Sequence, residues 1–188
     1  MDCLPLFYRR ILYAIAICVA FSLVSVAQPR PERAVAPLLK TIRVQSAPYN
    51  RSCPYYNYGD SISSEPCLVG CVATAIEQSL SYYRYPDALL DSIPGWETEN
   101  YSLVTVPSGS KIDWDDVADL SLWCGMIVQM KYSPNASASG LWKAEEPLKR
   151  VFGYGTVKIV DRSLYSFDAW HRILQNELLS GRPVAYVG

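Results

Sequence analysis

One stretch of this 188-residue chain carries a helical pattern strong enough to fix a local structure. From Cys71 to about Tyr83, apolar residues recur every three or four positions, the spacing that places them on one face of a helix. These apolar residues are Val72, Ala75, Ile76, Leu80 and Tyr83. Glu77, Gln78 and Ser81 lie off this stripe, so we expect them on the polar side. Pro86 ends the helix. The pattern predicts an amphipathic helix with one buried face.

A cysteine at the start of such a helix has a possible chemical role. The free N–H groups and the dipole of the first turn favour a thiolate at Cys71, and the same N–H groups are able to hold an oxyanion. Gly70, directly before it, allows close approach of another backbone or a substrate. A buried structural cysteine, or a disulfide with Cys67 at tight spacing, are the alternatives.

The N-terminus is typical of a secretory signal. A short basic region precedes the apolar run ILYAIAICVAFSLVSVA, which predicts a signal peptide at residues 1–27; a retained membrane anchor is the alternative. Residues 28–44 are proline-rich and polar, as expected for a linker or a remnant of a leader. We therefore expect a secreted, periplasmic or cell-surface protein with one domain at 45–188.

Composition excludes several function classes. With 17 basic and 18 acidic side chains and no basic stripe, nucleic acid is not an expected partner. One histidine and no zinc-like Cys spacing predict no metal site, and no cofactor motif is present. An exported chain permits disulfides: Cys53 and Cys67 flank a turn-rich segment, although spacing alone does not fix their pairing. Cys124 has apolar neighbours and is expected to be buried.

Further elements follow from the same kind of pattern. Helices are predicted at 115–123, at 141–152 with an interruption at Pro147, and from Ser166 to just before Gly181. The run GMIVQMKY is apolar enough for a buried strand or a continuing helix. Extended segments are predicted at 41–45, with Gln45 at a strand-to-loop junction, at 156–160, and from 183 as the start of a buried strand.

Several motifs together point to one family. These are QSAPYN, GCVATA, YYRYP, DWDD, CGMIVQMKY, FGY and YSFDAWHRILQNELLSGRPVAYVG, which occur in this order over residues 45–188. They resemble the streptopain-type bacterial cysteine peptidases, which are secreted enzymes. The resemblance implies an α+β, papain-like cysteine peptidase fold, mainly its nucleophile-bearing helical half with only the beginning of the β subdomain.

By this resemblance Cys71 matches the nucleophile and Gln45 the residue whose side-chain amide completes the oxyanion hole with the Cys71 backbone N–H. An ordinary polar residue at a strand end is the alternative for Gln45. Arg43 stands where the family usually has tryptophan. The family's catalytic histidine follows the strand that RPVAYVG resembles and has no counterpart here. His171 matches no catalytic position of the family and is expected to be a solvated or partly covered helix residue.

The resemblance implies a secreted endopeptidase that attacks peptide bonds through a thiolate. Without the family's histidine, we expect little or no turnover from the chain alone. A non-catalytic binding or complementation module, or the product of an interrupted peptidase gene, are the alternatives. Implied partners are a peptide or protein substrate and a propeptide-like inhibitor or complementary C-terminal half, with no membrane after signal cleavage.

Overall fold

A computed structural model describes residues 36–186 of the chain. The predicted signal peptide at 1–27 therefore lies outside the described residues. The helices are α1 (Cys71–Tyr83), α2 (Ala118–Ile127), α3 (Glu145–Arg150) and α4 (Phe167–Leu179), with 3-10 turns at Leu141–Lys143 and Arg162–Leu164. The strands are β1 (Tyr55–Asn57), β2 (Ile62–Pro66), β3 (Trp96–Glu97) and β4 (Ser102–Leu103). Over these residues the structure is a mixed α+β arrangement in which helices dominate.

Helix α1 has the bounds that the sequence predicts. It starts directly after Gly70 and ends at Tyr83, where Arg84 takes a left-handed conformation and its N–H bonds to the Leu80 carbonyl at 2.9 Å. The predicted apolar stripe is buried at Val72, Ile76 and Leu80. The expectation for Glu77 was wrong, because its side chain is only 1% exposed.

Helix α2 starts and ends later than the predicted 115–123 helix. The Asp113 carboxylate accepts the backbone N–H groups of Asp115 and Asp116 at 2.9 and 3.0 Å, which holds these residues in a turn and delays the helix to Ala118. The following apolar residues continue the helix to Ile127 rather than forming a strand. Helices α1 and α2 pack against each other around the core, in which Cys124 is fully buried as expected.

The two sheets in the described residues are both antiparallel hairpins. Strands β1 and β2 pair Tyr55 with Pro66, and β3 and β4 pair Trp96 with Leu103. In the connection between β1 and β2, Gly59 has φ 95° and its N–H bonds to the Asn57 side chain at 2.8 Å. Neither hairpin was predicted, since these segments show turn-forming residues rather than strand alternation.

The C-terminal part follows the prediction only in its helices. Helix α4 begins after Ser166, whose hydroxyl accepts the Ala169 N–H at 3.3 Å, and ends before Gly181 as predicted. Pro147 is tolerated because it lies in the first turn of α3, where backbone N–H groups have no intrahelical acceptor. The strands expected at 156–160 and from 183 were wrong within the described residues, where neither segment pairs with another strand.

The side chains of the last described residues are also more exposed than a buried strand requires. Val184 is 37% and Tyr186 is 58% exposed, whereas Trp170 is the buried residue of α4. No helix within residues 36–186 has the length and apolarity needed to cross a membrane. The core that positions the candidate site is therefore the one around α1 and α2.

Candidate active site

Cys71 is the first residue of α1, and its side chain is exposed. The other cysteines of the described part of the chain, Cys53, Cys67 and Cys124, are buried. Burial raises the pKa of Cys53 to about 12, with a smaller contribution from neighbouring Cys67, and it raises the pKa of Cys67 to about 11. Burial also raises the pKa of Cys124 well above its ordinary value. Among these four thiols, Cys71 is the one open to a substrate.

The start of α1 is free of competing side chains. Gly70 occupies the N-cap position and has no side chain to accept the N–H groups of the first turn, and no acidic residue lies in that turn. The Thr74 N–H and hydroxyl both bond to the Gly70 carbonyl at 3.0 Å, which fixes the first helical turn. The dipole of the first turn therefore acts on the Cys71 side chain, and no carboxylate in that turn opposes it.

Gly70 also has a steric role. Its φ of 88° is a conformation that side-chain-bearing residues rarely adopt. A β-carbon there would lie 2.6 Å from the Met130 terminal methyl and 3.2 Å from the Ser137 carbonyl oxygen. The close approach predicted from the sequence therefore exists, and the groups that approach Gly70 belong to the loop after α2.

Gln45 lies at a bend in an irregular segment, so the predicted extended piece at 41–45 does not form a strand. Its backbone carbonyl accepts the Val69 N–H at 2.9 Å, which joins it to the residues directly before Cys71. Gln45 and Cys71 both line an open pocket of about 450 Å³. The remaining lining residues are Arg43, Val44, Ser46, Leu68, Thr74, Ala75 and Gln78. The two site residues predicted from sequence thus share one pocket.

A buried ion pair connects the segment that carries Gln45 with helix α1, and both elements line this pocket. The Nε of Arg43 lies 3.3 Å from a Glu77 carboxylate oxygen, and the guanidinium lies 5.2 Å from the centre of the Tyr49 ring. The other Glu77 oxygen accepts the Ser81 hydroxyl at 2.6 Å. Burial raises the pKa of Glu77, opposed by the Ser81 hydrogen bond and the Arg43 charge. Sequence reasoning missed this pair, because Glu77 lies off the apolar stripe and is followed by the polar residue Gln78.

His171 lies elsewhere. Its Nδ1 is 2.9 Å from the Phe167 carbonyl oxygen, and it lines a separate pocket of about 340 Å³ together with Arg162, Trp170 and Tyr186. This agrees with the expectation of an exposed or partly covered helix residue. Within residues 36–186 no group of three or more His, Cys, Asp or Glu side chains is arranged to hold a metal ion.

The Cys53–Cys67 bridge that the sequence left open is not formed in the structure. Both residues are free thiols, although the Cys67 N–H bonds to the Pro54 carbonyl at 2.8 Å and thereby brings the two cysteines next to each other. Cys71 is likewise not bridged to Cys67. The nucleophile predicted from the sequence is therefore available as a thiol.

Comparison with known proteins gives consistent matches. The chain is 26% identical over 172 residues to streptopain of Streptococcus pyogenes, which covers 77% of this chain and 43% of that protein. It is 26% identical over 176 residues to the thiol protease/hemagglutinin PrtT of Porphyromonas gingivalis, covering 82% of this chain and 20% of that protein. The chain thus spans less than half the length of these curated relatives.

Two solved structures share the fold. The active interpain A cysteine protease of Prevotella intermedia matches with a TM-score of 0.69 and 26% identity, covering 82% of this chain and 71% of that one. A fragment of its precursor, prointerpain A, matches with a TM-score of 0.70 and 25% identity over 93% of this chain and 63% of that one. The described residues therefore adopt the papain-like cysteine peptidase fold that the resemblance implied. The model of the Peptidase C10 family matches residues 44–188, and the chain belongs to that family.

Proposed function

We propose that this chain supplies the nucleophile and the oxyanion-binding side of a cysteine endopeptidase active site. The observation that carries the proposal is the shared pocket of Cys71, an exposed thiol at a helix start, and Gln45, the expected oxyanion donor. Membership of the Peptidase C10 family supports peptide bonds as the substrate class.

The proposed reaction uses the chemistry of these two residues. The Cys71 thiolate attacks the peptide carbonyl carbon, a C–S bond forms, and the carbonyl oxygen takes the electron pair of the opened π bond. The Cys71 backbone N–H and the Gln45 side-chain amide then stabilise this oxyanion. The C–N bond breaks and the amine leaves with a proton, after which water hydrolyses the thioester.

This sequence of steps needs an imidazole that pairs with the thiol and protonates the leaving amine. The 188 residues contain one histidine, His171, which lines the other pocket. We therefore assign the imidazole to polypeptide outside these 188 residues, and we expect little turnover of peptides from this chain by itself. A complementary half that carries the histidine, or a propeptide-like inhibitor, is the protein partner that this arrangement fits.

The proposal also includes export of the protein from the cytoplasm. The predicted signal peptide favours a secreted, periplasmic or cell-surface protein, and its substrates would then be extracellular peptides or proteins. The second candidate is a module that binds peptides without cleaving them. It is favoured by the composition of the pocket lining, which holds a thiol and amides but no imidazole among the described residues.

A burst experiment tests the proposed nucleophile without requiring a general acid. An N-acylated amino-acid p-nitrophenyl ester, which has a good leaving group, should acylate Cys71 of the full chain and release about one equivalent of p-nitrophenol before turnover slows. Cys71→Ala should abolish the burst, and His171→Ala should leave it intact. A wild-type chain that binds the ester's peptide part but gives no burst would instead support the binding module. Loss of the burst in His171→Ala would refute the assignment of the imidazole to other polypeptide.

A further inference from the structure

The segment that carries Gln45 is held to α1 mainly by side chains. Residues 41–44 make no backbone hydrogen bond with other described residues, and the Gln45 carbonyl makes a single one, to Val69. Thr41 donates its hydroxyl to the Gln78 side-chain oxygen at 3.3 Å, but both groups are exposed or half-exposed and gain little in water. Apart from the bond to Val69, which precedes α1, the contacts that remain to position Gln45 relative to α1 are those of the Arg43 side chain.

Arg43 makes its contacts with three partners at once. Its Nε lies 3.3 Å from Glu77, its Nη2 donates to the Ser81 hydroxyl at 3.5 Å, and its guanidinium faces the Tyr49 ring. The buried Nε forms no directed hydrogen bond, so the Glu77 contact is one between charges. With 14% of the Arg43 side chain and 1% of the Glu77 side chain exposed, this contact is shielded from water.

The two charges lie on the two elements that carry the site. Arg43 is two residues before Gln45, and Glu77 is on α1, which begins with Cys71. We propose that the Arg43–Glu77 pair is a positioning device that sets the register between the Gln45 segment and α1 and so holds the Gln45 amide at the oxyanion site. This inference rests on the proposed function, since it gives Gln45 its role there.

A shielded charge pair is suited to this task. A shift in register leaves a shielded charge without its partner and without water, which costs more than the same shift in an apolar contact. Replacing a buried ion pair by apolar residues is often neutral or favourable for stability, so stability alone does not account for it. Register is the property that such a pair specifies more strictly than an apolar contact does.

A peptide aldehyde measures the oxyanion site without turnover. Cys71 Sγ forms a bond to the aldehyde carbon, the π bond opens, and the oxygen takes that electron pair and the proton released by the thiol. No group leaves, and the oxygen occupies the position of the oxyanion. Iodoacetamide is the control reagent, because it forms an S–C bond by displacing iodide, creates no oxyanion and reports access to the thiol alone.

The test is a double-mutant cycle on the full chain. Gln45→Ala should weaken aldehyde binding about 100-fold, the size expected for one lost oxyanion donor. Glu77→Gln, which keeps the shape of the side chain and removes the charge, should weaken it about 10-fold, a typical coupling between connected groups. Glu77→Gln should add no further loss in the Gln45→Ala background. Iodoacetamide rates should stay within about twofold throughout.

Further variants separate positioning from folding. Glu146→Gln removes an exposed charge that pairs with Arg150 at 3.1 Å and should leave aldehyde binding unchanged. The double variant Arg43→Leu/Glu77→Leu should fold, as judged by tryptophan fluorescence, and still bind the aldehyde about 10-fold more weakly than wild type. It keeps the test valid if Glu77→Gln fails to fold. Arg43→Lys should lose less affinity than Arg43→Leu.

The outcomes that overturn the inference differ from those that overturn the proposed function. Unchanged aldehyde affinity in Glu77→Gln, or a loss of the same size with and without Gln45, would overturn positioning alone. If Gln45→Ala binds the aldehyde as well as wild type does, the oxyanion role of Gln45 fails and the positioning inference fails with it. Faster hydrogen exchange of the Val69 amide in Glu77→Gln than in Glu146→Gln would support the inference, since that amide bonds to the Gln45 carbonyl.

Discussion

The substitution Gly70→Ala tests the backbone conformation and the packing at the residue that precedes α1. At φ 88° and ψ 137°, a residue with a β-carbon is strained by about 1–3 kcal/mol. The new β-carbon would also lie 2.6 and 2.7 Å from the end of the Met130 side chain and 3.2 Å from the Ser137 carbonyl oxygen. Overpacking of this kind costs about 1–3 kcal/mol. The two contributions predict a loss of about 2–6 kcal/mol in the free energy of unfolding.

Gly59→Ala is the matched control, because Gly59 has a φ of 95° and nothing within 4 Å of a β-carbon. It should show the backbone strain without the crowding. Denaturant unfolding followed by tryptophan fluorescence gives both free energies, and Met130→Ala in each background gives the coupling energy. Met130→Ala should recover part of the Gly70→Ala loss and none of the Gly59→Ala loss. Equal losses for the two glycines, or no coupling to Met130, would refute the proposed packing around Gly70.

Two other predictions concern titrating groups. Of the four cysteines within residues 36–186, only Cys71 should be modified by iodoacetamide at pH 8 in the folded chain. The pKa values of about 11 for Cys67 and about 12 for Cys53 leave these two side chains almost entirely as thiols at this pH. Peptide mapping by mass spectrometry that finds a second modified site before denaturation would contradict this. For Glu77, burial raises the pKa of the folded state above the ordinary 4.5, so the protonated carboxyl group favours the folded state. The wild type should therefore lose stability relative to Glu77→Gln as the pH rises from 4.5 through that raised pKa. Denaturant midpoints of both proteins at pH 4 and pH 8 measure this relative stability. A difference between the two midpoints that does not change with pH, or that shifts in favour of the wild type at pH 8, contradicts the prediction.

The parts of the fold that the sequence predicts well have local signals. Helix α1 is preceded by Gly70, has apolar residues at helical spacing and is followed by Pro86, so both of its bounds are set by neighbours in sequence. Helix α4 has a capping serine at one end and Gly181 at the other. The position of Cys71 at a helix start follows from the same local rules, whereas its role as the nucleophile is implied by the family resemblance and stays a prediction.

The parts that were missed depend on contacts between distant residues. A carboxylate off the apolar stripe is normally assigned to the surface, and only the Arg43 charge and the Ser81 hydroxyl reconcile Glu77 with its burial. The segment 41–45 alternates like a strand but finds no partner strand among the described residues. The predicted strand at 156–160 fails for the same reason, because a strand needs a neighbour that its own sequence does not specify.

The titration of Glu77 also separates the effect of the ion pair on the position of Gln45 from its effect on the stability of the fold. If Glu77 is protonated on acidification, Arg43 loses its counter-charge and the Gln45 segment is no longer fixed by a charge pair, although the protonated state is the one that burial favours. Acidification should therefore weaken aldehyde binding more steeply in the wild type than in Arg43→Leu/Glu77→Leu, which has no pair to lose. Effects of pH that do not involve residues 43 and 77 are common to both proteins and cancel in the ratio of their affinities. A ratio that does not change with pH would mean that the Glu77 charge has no effect on the oxyanion site.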